Sequence, residues 1–222
     1  MTDSGIIFPV PEVVNAPRAT RRERAAATRK RMIVAAIDVF TDAGYAGTRM
    51  VDIAARAGVA VQTVYFTFHT KGELLQACFH YAVMGPEELP PPEQPFFGEI
   101  LSARSGRAGV AAFARGNTEI LSRAAAIDEV AKAATHEPEA AAVVAHSEGL
   151  RRDGYRDVVT SLAERFGLRA GLDVESGTDL LLMYGSSPTY LTLTRYGWTQ
   201  ERYTAWLTDT LARELLARPG RG

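Results

Sequence analysis

The residues of this 222-residue chain that are best suited to chemistry lie between positions 48 and 71. Within that stretch Gln62, Thr63 and Tyr65 occur close together, shortly after Gly58. A glutamine amide can pair with the edge of an adenine, and a threonine methyl can contact the methyl group of a thymine. These residue types therefore indicate recognition of base edges by hydrogen bonds and apolar contacts rather than catalysis.

Two short helices joined by a tight turn must position these side chains. The first helix is predicted over 49–56, with Val51 and Ile53 on its apolar side. Gly58 suits the turn because glycine, which lacks a Cβ, readily adopts positive φ. The second helix begins near Val61, and its outward residues are suited to a major groove. On the pattern alone, the alternative is a pair of surface helices in an unrelated α protein.

Residues 33–77 resemble the TetR (tetracycline-repressor) family of bacterial regulators without a gap. The resemblance implies an all-α fold: an N-terminal three-helix helix-turn-helix DNA-binding domain, then a C-terminal helical bundle for ligand sensing and dimerisation. Beyond this stretch only the helix layout is similar. The residues that carry the resemblance, at fixed spacings, are Phe40, Gly44, Tyr45, Thr48, Asp52, Ile53, Ala54, Ala57, Gly58, Val59, Thr63, Val64, Tyr65, Phe68, Lys71, Glu73, Leu74 and Leu75.

The resemblance also implies roles for individual residues in DNA binding. The outward positions of the second helix read bases, and Tyr65 and Lys71 fall at positions that contact phosphate. The arginines at the start of the first helix are expected to contact phosphate or the minor groove, with a solvated face as the alternative. Two departures concern the exact contacts: Ala60 stands where Ser or Thr often caps the helix, and Thr67 where His is common. The predicted DNA-binding residues are Arg21, Arg22, Arg24, Thr48, Arg49, Val61, Gln62, Thr63, Tyr65 and Lys71.

Charge is divided unevenly along the chain. Residues 18–71 hold ten Lys or Arg and four Asp or Glu, a net charge of +6, whereas the remainder carries −7. A basic first part followed by an acidic second part indicates nucleic acid at one end only. Phosphate contacts would supply much of the affinity, which would then fall as the salt concentration rises.

Local signals divide the chain into a disordered leader (1–17), a helix-turn-helix DNA-binding domain (18–71) and a ligand-sensing and dimerisation domain (72–222). A capping box at Thr20 starts the first helix, and Gly44 should end it. A second capping box, from Thr70 to Glu73, is predicted to start the helix that follows the helix-turn-helix. Helical periodicity predicts the later helices at 96–103, 107–125, 138–166, 176–195 with an interruption at Pro188, and after Thr199.

The sensor half offers aromatic and polar residues for a mostly apolar cavity. Here the resemblance does not transfer residue by residue, and each candidate could instead be core or surface. In the family the last two helices pair with those of a second subunit, which implies a homodimer; an internal hairpin is the alternative. The expected small-molecule effector would shift the two DNA domains off the spacing of a palindromic operator. The ligand candidates are Phe113, Asn117, Ile120, His136, His146, Tyr155 and Tyr184.

Several function classes find no support in the sequence. No apolar run approaches the roughly 18 to 20 residues that cross a membrane, and no signal-peptide core is evident, which predicts a cytoplasmic protein. The single cysteine, Cys78, excludes an internal disulfide and is expected in the core. HExxH, CxxC, GxSxG and Gly-rich phosphate motifs are missing, and the pair Asp128 and Glu129 is expected to be solvated. We therefore predict no catalytic residue, no metal and no cofactor.

Two rival interpretations remain open. One is a helical-bundle enzyme with a basic arm, which only a carboxylate with a strongly shifted pKa in a cleft would support. The other is a ligand-binding or protein-binding helical module that no longer reads a specific operator. Ala60 at the cap position favours that module weakly, whereas Gln62, Tyr65 and Lys71 argue against it.

Overall fold

The structure, a computed structural model, describes residues 20–85 and 88–217. Within these ranges it consists of helices and their connections without a β-strand, which confirms the predicted all-α class. The leader predicted over 1–17 lies outside the described residues. The helices are α1 (Arg21–Gly47), α2 (Met50–Ala57), α3 (Val61–Thr67), α4 (Lys71–Met84), α5 (Pro95–Ser102), α6 (Gly106–Ala133), α7 (Pro138–Phe166), α8 (Val174–Tyr184), α9 (Ser187–Arg195) and α10 (Gln200–Leu215), with a short 3₁₀ helix at Pro91–Glu93.

The local signals at both ends of α1 are confirmed. The Thr20 side chain accepts a hydrogen bond from the amide of Glu23 at 3.2 Å, and the Glu23 carboxylate accepts one from the Thr20 amide at 2.6 Å. This reciprocal pair satisfies two amides that the first turn leaves without helical partners. Gly44 breaks the helix with φ 70° and ψ 172°, after which one further turn leads to α2.

One buried cluster contains residues of the four helices α1, α2, α3 and α4. It also contains residues from the C-terminal end of α6 and the N-terminal end of α7. Phe40, Ile53, Val64 and Leu74 are all fully buried in it, and so is Ile127 of α6. Because these side chains share a single core, the first three helices do not form a separate globule. The apolar contacts of α4 therefore belong to both halves of the chain.

A second buried cluster fills the far half of the molecule, between α5 and α10. Val159, Leu181, Leu207 and Leu211 are fully buried there. α6 has 28 residues and is roughly 42 Å long, so it runs through both clusters. No helix in the described part of the chain is long and apolar enough to span a membrane.

Three details differ from the sequence-based expectations. Val51 is 50% exposed, whereas Met50 is buried with Ile53, because the buried face of α2 follows the i, i+3, i+4, i+7 spacing from Met50, which leaves Val51 outside it. The helix predicted over 107–125 continues to residue 133. The interruption predicted at Pro188 lies slightly earlier, since α8 ends at Tyr184 and α9 begins at Ser187 with Ser186 as its N-cap.

Candidate nucleic-acid interface and sensor interior

The turn between α2 and α3 has the geometry that the glycine predicts. Gly58 adopts φ 65° and ψ 41°, in the left-handed region, and the amide of Val59 donates to the carbonyl of Ala54 at 3.0 Å. Such a hydrogen bond satisfies a carbonyl at the end of a helix. Val64 of α3 is fully buried, so it anchors one side of this short helix and leaves the other side outside.

The outer side of α3 carries the side chains expected to read bases. Gln62 is exposed and Tyr65 is 51% exposed, whereas Thr63 is half-buried. Val61 is also half-buried and packs against the first core, so it projects less than predicted. Phe66 is 85% exposed and lies four residues after Gln62, which places both on one side of the helix.

Phe66 is a residue that sequence reasoning missed. An exposed phenylalanine on a seven-residue helix is not explained by the core, since its neighbours Val64 and Phe68 are the buried ones. The helical spacing could have revealed it, because Val64 and Phe68 are four residues apart on the buried side and Phe66 lies between them on the opposite side of the helix.

The cap position of α3 is occupied by Ala60, which makes no side-chain hydrogen bond. At α4 the predicted capping box is only half formed. The Thr70 hydroxyl accepts from the amide of Glu73 at 3.1 Å, but the Glu73 carboxylate turns back to the amide of His69 at 3.2 Å. The start of α3 therefore depends on tertiary packing, whereas that of α4 has its own cap.

The arginines predicted to bind DNA differ in whether they are paired with an acidic residue of the protein. Arg21, Arg22 and Arg24 are exposed along the first turns of α1. Arg49, just before α2, forms a two-point ion pair with Asp52, with both N···O distances at 2.7 Å. The hydrogen bonds from Arg49 hold the pKa of Asp52 below its usual range. Phosphate would have to compete with this carboxylate for Arg49.

The side chains of Thr48 and Lys71 form hydrogen bonds with backbone carbonyls of the protein itself. Thr48 is only 3% exposed, and its hydroxyl donates to the carbonyl of Gly44 at 2.7 Å. The Lys71 ammonium donates to the carbonyl of Tyr45 at 2.7 Å and lies 4.3 Å from the centre of the Tyr45 ring. The predicted contact through the Thr48 side chain is therefore corrected, because its hydroxyl serves the fold and is not at the surface.

In the sensor half, three of the predicted ligand residues come together in the interior. The Tyr155 hydroxyl donates to the Asn117 side-chain oxygen at 2.5 Å, and the Asn117 amide donates to the carbonyl of Gly185 at 3.2 Å. The ring of Phe113 meets that of Tyr155 edge to face, with centroids 5.1 Å apart. Burial raises the pKa of Tyr155 to about 12, so its hydroxyl is a neutral donor at physiological pH.

The other four candidates lie elsewhere. Tyr184 is half-buried, with its ring 6.1 Å from that of Trp206, and Ile120 packs against the first core. His136 and His146 are both exposed, so the prediction that they line an interior cavity is wrong. His136 lies in the connection between α6 and α7. Helical periodicity could not exclude His146, since only five of the 29 residues of α7 are buried.

A chain of ion pairs lies beside the interior cluster, between α6 and α7. Asp128 is 8% exposed rather than solvated as expected, and it accepts from the Lys132 ammonium at 2.9 Å. That ammonium also pairs with Glu148 at 2.8 Å, and Glu148 pairs in turn with Arg151. Desolvation opposes ionisation of Glu148, but the hydrogen bonds from Lys132 and Arg151 outweigh it and lower the pKa of Glu148. Each charge is thus compensated, as a partly buried charge requires.

Comparison with known proteins agrees with this architecture. Residues 32–78 match the family described as "Bacterial regulatory proteins, tetR family". The HTH-type transcriptional regulator CymR of Pseudomonas putida is 42% identical over 64 residues, which are 29% of this chain and 32% of CymR. The chain therefore matches about one third of the length of this curated relative.

The solved structures extend the similarity to the whole fold. The FadR regulator of Bacillus subtilis in complex with stearoyl-CoA superposes with a TM-score of 0.66 at 17% identity, over 82% of this chain and 96% of FadR. A TetR transcriptional regulator of Chloroflexus aurantiacus gives 0.63 at 20% identity, over 87% and 98%. The ketosteroid regulator KstR2 of Mycobacterium tuberculosis gives 0.58 at 17%, over 86% and 95%.

Taken together, the helix-turn-helix and the helices behind it define an all-α fold that is similar to solved structures of transcriptional regulators. The sequence match to the tetR family of bacterial regulatory proteins covers residues 32–78, which include α2 and α3.

Proposed function

We propose that this chain is a sequence-specific DNA-binding transcriptional regulator, a repressor that a small, mostly apolar effector releases from its operator. The observation that carries the proposal is α3, which exposes Gln62 and Tyr65 while Val64 anchors it in the core. A short helix held in this way can enter a major groove with its outer side chains against base edges.

The contacts fall into two classes. Gln62, with the methyl group of Thr63, reads bases, and Phe66 adds an apolar surface on the same side of α3. Tyr65 and Lys71 contact phosphate, and the exposed arginines of α1 contribute further charge. The net charge of +6 over residues 18–71 supports phosphate binding at this end of the molecule.

The proposal is tested by selecting duplexes that bind the protein from a random pool, followed by a salt titration on the selected duplex. We expect an enriched palindrome with two half-sites and an affinity that falls steeply as the salt concentration rises. If a folded protein enriches no sequence, the proposal is wrong. A helical module without a specific operator then becomes the better description.

The operator's symmetry requires a dimer, which we propose forms through α8, α9 and α10. Met183 is 52% exposed and Tyr196 is 80% exposed, and Leu191 and Trp206 are only half-buried. Apolar side chains left at the surface of a hairpin favour pairing with an identical surface. Sedimentation equilibrium should give a dimer for the wild type and a shift towards monomer for Met183→Glu. A monomeric wild type would remove the basis for a palindromic operator.

The proposed effector binds near Phe113, Asn117 and Tyr155, where aromatic surface surrounds a few polar groups. Two relatives support an apolar ligand: FadR is solved with stearoyl-CoA, and KstR2 is named for ketosteroids. A panel of acyl-CoA thioesters, steroids and small aromatic acids can be screened for release of the selected duplex. Release by a hit should be lost in Tyr155→Phe if the hydroxyl contacts the ligand.

A further inference from the structure

The first turn of α7 reaches the DNA-binding end of the molecule through one carboxylate. Glu139 is an exposed residue, yet its Oε2 atom accepts two hydrogen bonds from the other half of the chain. The Gly72 amide donates to it at 2.9 Å, and the Tyr45 hydroxyl donates to it at 3.0 Å. A carboxylate that accepts an amide at a helix N-terminus also interacts favourably with the helix dipole.

The close approach explains the unusual glycine in the first turn of α4. A Cβ built on Gly72 would lie 2.6 Å from the Cβ of Glu139, far inside van der Waals contact. That neighbouring atom belongs to the start of the side chain and cannot swing away. Any larger residue at position 72 would therefore force α4 and α7 apart, so the glycine permits the amide of α4 to reach the carboxylate.

The same carboxylate touches the corner between α1 and α2. Tyr45 is 5% exposed and stacks on Phe40, with ring centroids 5.9 Å apart. Burial, with the carboxylate of Glu139 beside it, raises the pKa of Tyr45, so its hydroxyl remains a donor. The carbonyl of Tyr45 in turn holds the ammonium of Lys71. One oxygen of α7 thus meets both the start of α4 and the residue that holds Lys71.

We infer that Glu139 is a positioning residue, through which α7 fixes the start of α4 and Lys71 against the α1–α2 corner and so sets the affinity for DNA. The inference rests on the proposed function. The apolar contacts between α4 and α6 or α7 tolerate sliding, whereas these hydrogen bonds are directional. A shift of about 1 Å in the first turn of α7 would take both bonds beyond hydrogen-bond length. A conformational change that moves the first turn of α7 would then change the position of the first turn of α4.

Two substitutions break the contact in different ways, and each has a matched control. Glu139→Ala removes the acceptor, and Gly72→Ala separates the helices. The control for Glu139→Ala is Glu164→Ala, which removes an exposed acid from the far end of α7. The control for Gly72→Ala is Gly149→Ala on α7, where an added Cβ would contact no neighbouring atom. Circular dichroism melting confirms that each variant is folded before binding is measured.

We expect Glu139→Ala and Gly72→Ala to weaken binding of the selected duplex roughly tenfold, the effect of losing a hydrogen bond to a charged group. Sequence preference should be unchanged, because no base-reading residue is altered. Glu139→Gln, which keeps an acceptor oxygen, should recover part of the affinity. The controls should bind like the wild type. Affinity equal to or above that of the wild type in Glu139→Ala overturns the inference.

Amide hydrogen exchange provides a readout that does not depend on DNA. In the free protein, Glu139→Ala should speed exchange of the amides at 71–75 relative to the wild type and to Glu164→Ala. By reciprocity, duplex binding should slow exchange at 138–146 in the wild type but not in the variant. If the wild type binds no duplex, the proposed function fails, and exchange in the free protein decides the inference alone. Unchanged exchange at 71–75 overturns it.

Discussion

The helix α3 exposes polar side chains, whereas the cluster of Asn117 and Tyr155 in the far half of the molecule encloses them. On α3, Gln62 is exposed, whereas Asn117 is buried and hydrogen-bonded to the half-buried Tyr155. An exposed side chain on an anchored helix is available to a binding partner regardless of how the core beneath it is packed. Whether a buried side chain contacts a ligand depends on the residues around it, so the same residue type can belong to the core or to a ligand site.

Breaking each core tests whether the two regions are separate at all. Phe40→Ala empties part of the first cluster and Leu207→Ala part of the second, at a cost of about 3 to 5 and 2 to 5 kcal/mol respectively. Because α6 crosses both clusters, each variant should lower the midpoint of one shared unfolding transition in urea. The exposed Leu101→Ala on α5 serves as the control. Two transitions, with each variant shifting only one of them, would contradict the shared core.

The buried polar cluster gives the next largest effect. Asn117→Leu removes one acceptor of the Tyr155 hydroxyl, which keeps the carbonyl of Gly185 at 3.2 Å, so the protein should be destabilised by about 0.5 to 1.5 kcal/mol. Binding of the selected duplex by the folded fraction should be unchanged, since the cluster is far from α3. Urea unfolding and duplex titration on the same sample check both statements. A changed base preference would show that the two regions are not distinct in function.

A substitution of Lys71 tests whether its ammonium contacts DNA or only the backbone of the protein itself. Lys71→Ala should weaken binding to all duplexes alike and reduce the slope of log affinity against log salt by about one, if its ammonium neutralises one phosphate. An unchanged slope would mean that the ammonium serves only the carbonyl of Tyr45. Salt titrations of the wild type and the variant on one duplex decide this.

The smallest expected effect concerns the cap of α3. Ala60→Ser supplies the hydroxyl that the N-cap position lacks and should stabilise the protein by up to about 1 kcal/mol. Because the start of α3 would be better ordered, the affinity for the duplex should rise or stay level. Thermal melting measures the gain. A loss of stability would show that the N-cap geometry at residue 60 does not suit a side-chain cap.

Local signals predicted what local physics controls. The capping box at Thr20, the turn at Gly58 and the bounds of α7 at 138–166 follow from neighbouring residues, and the structure confirms all three. The prediction that Val51 lies on the apolar side of α2 was wrong, whereas Ile53 is buried as predicted, because Val51 falls outside the i, i+3, i+4 spacing of the buried residues.

Long-range contacts were beyond the reach of the sequence. Tyr45 and Glu139 are 94 positions apart, and nothing in either local pattern pairs them. Glycine is a poor helix former, and only the position of Glu139 gives the reason for Gly72 in the first turn of α4. His146 failed as a ligand candidate because α7, a long helix with few buried residues, has no clear inner side, and His136 failed because it lies in the exposed connection before α7.

The most direct test of the account compares duplex selection by the wild type with selection by Gln62→Ala from the same random pool. If α3 reads bases through Gln62, the variant should lose preference at one base pair in each half-site, worth roughly 1 to 3 kcal/mol, and keep the rest of the palindrome. Identical preferences for the two proteins would contradict the assignment of α3 as the base-reading helix through this residue.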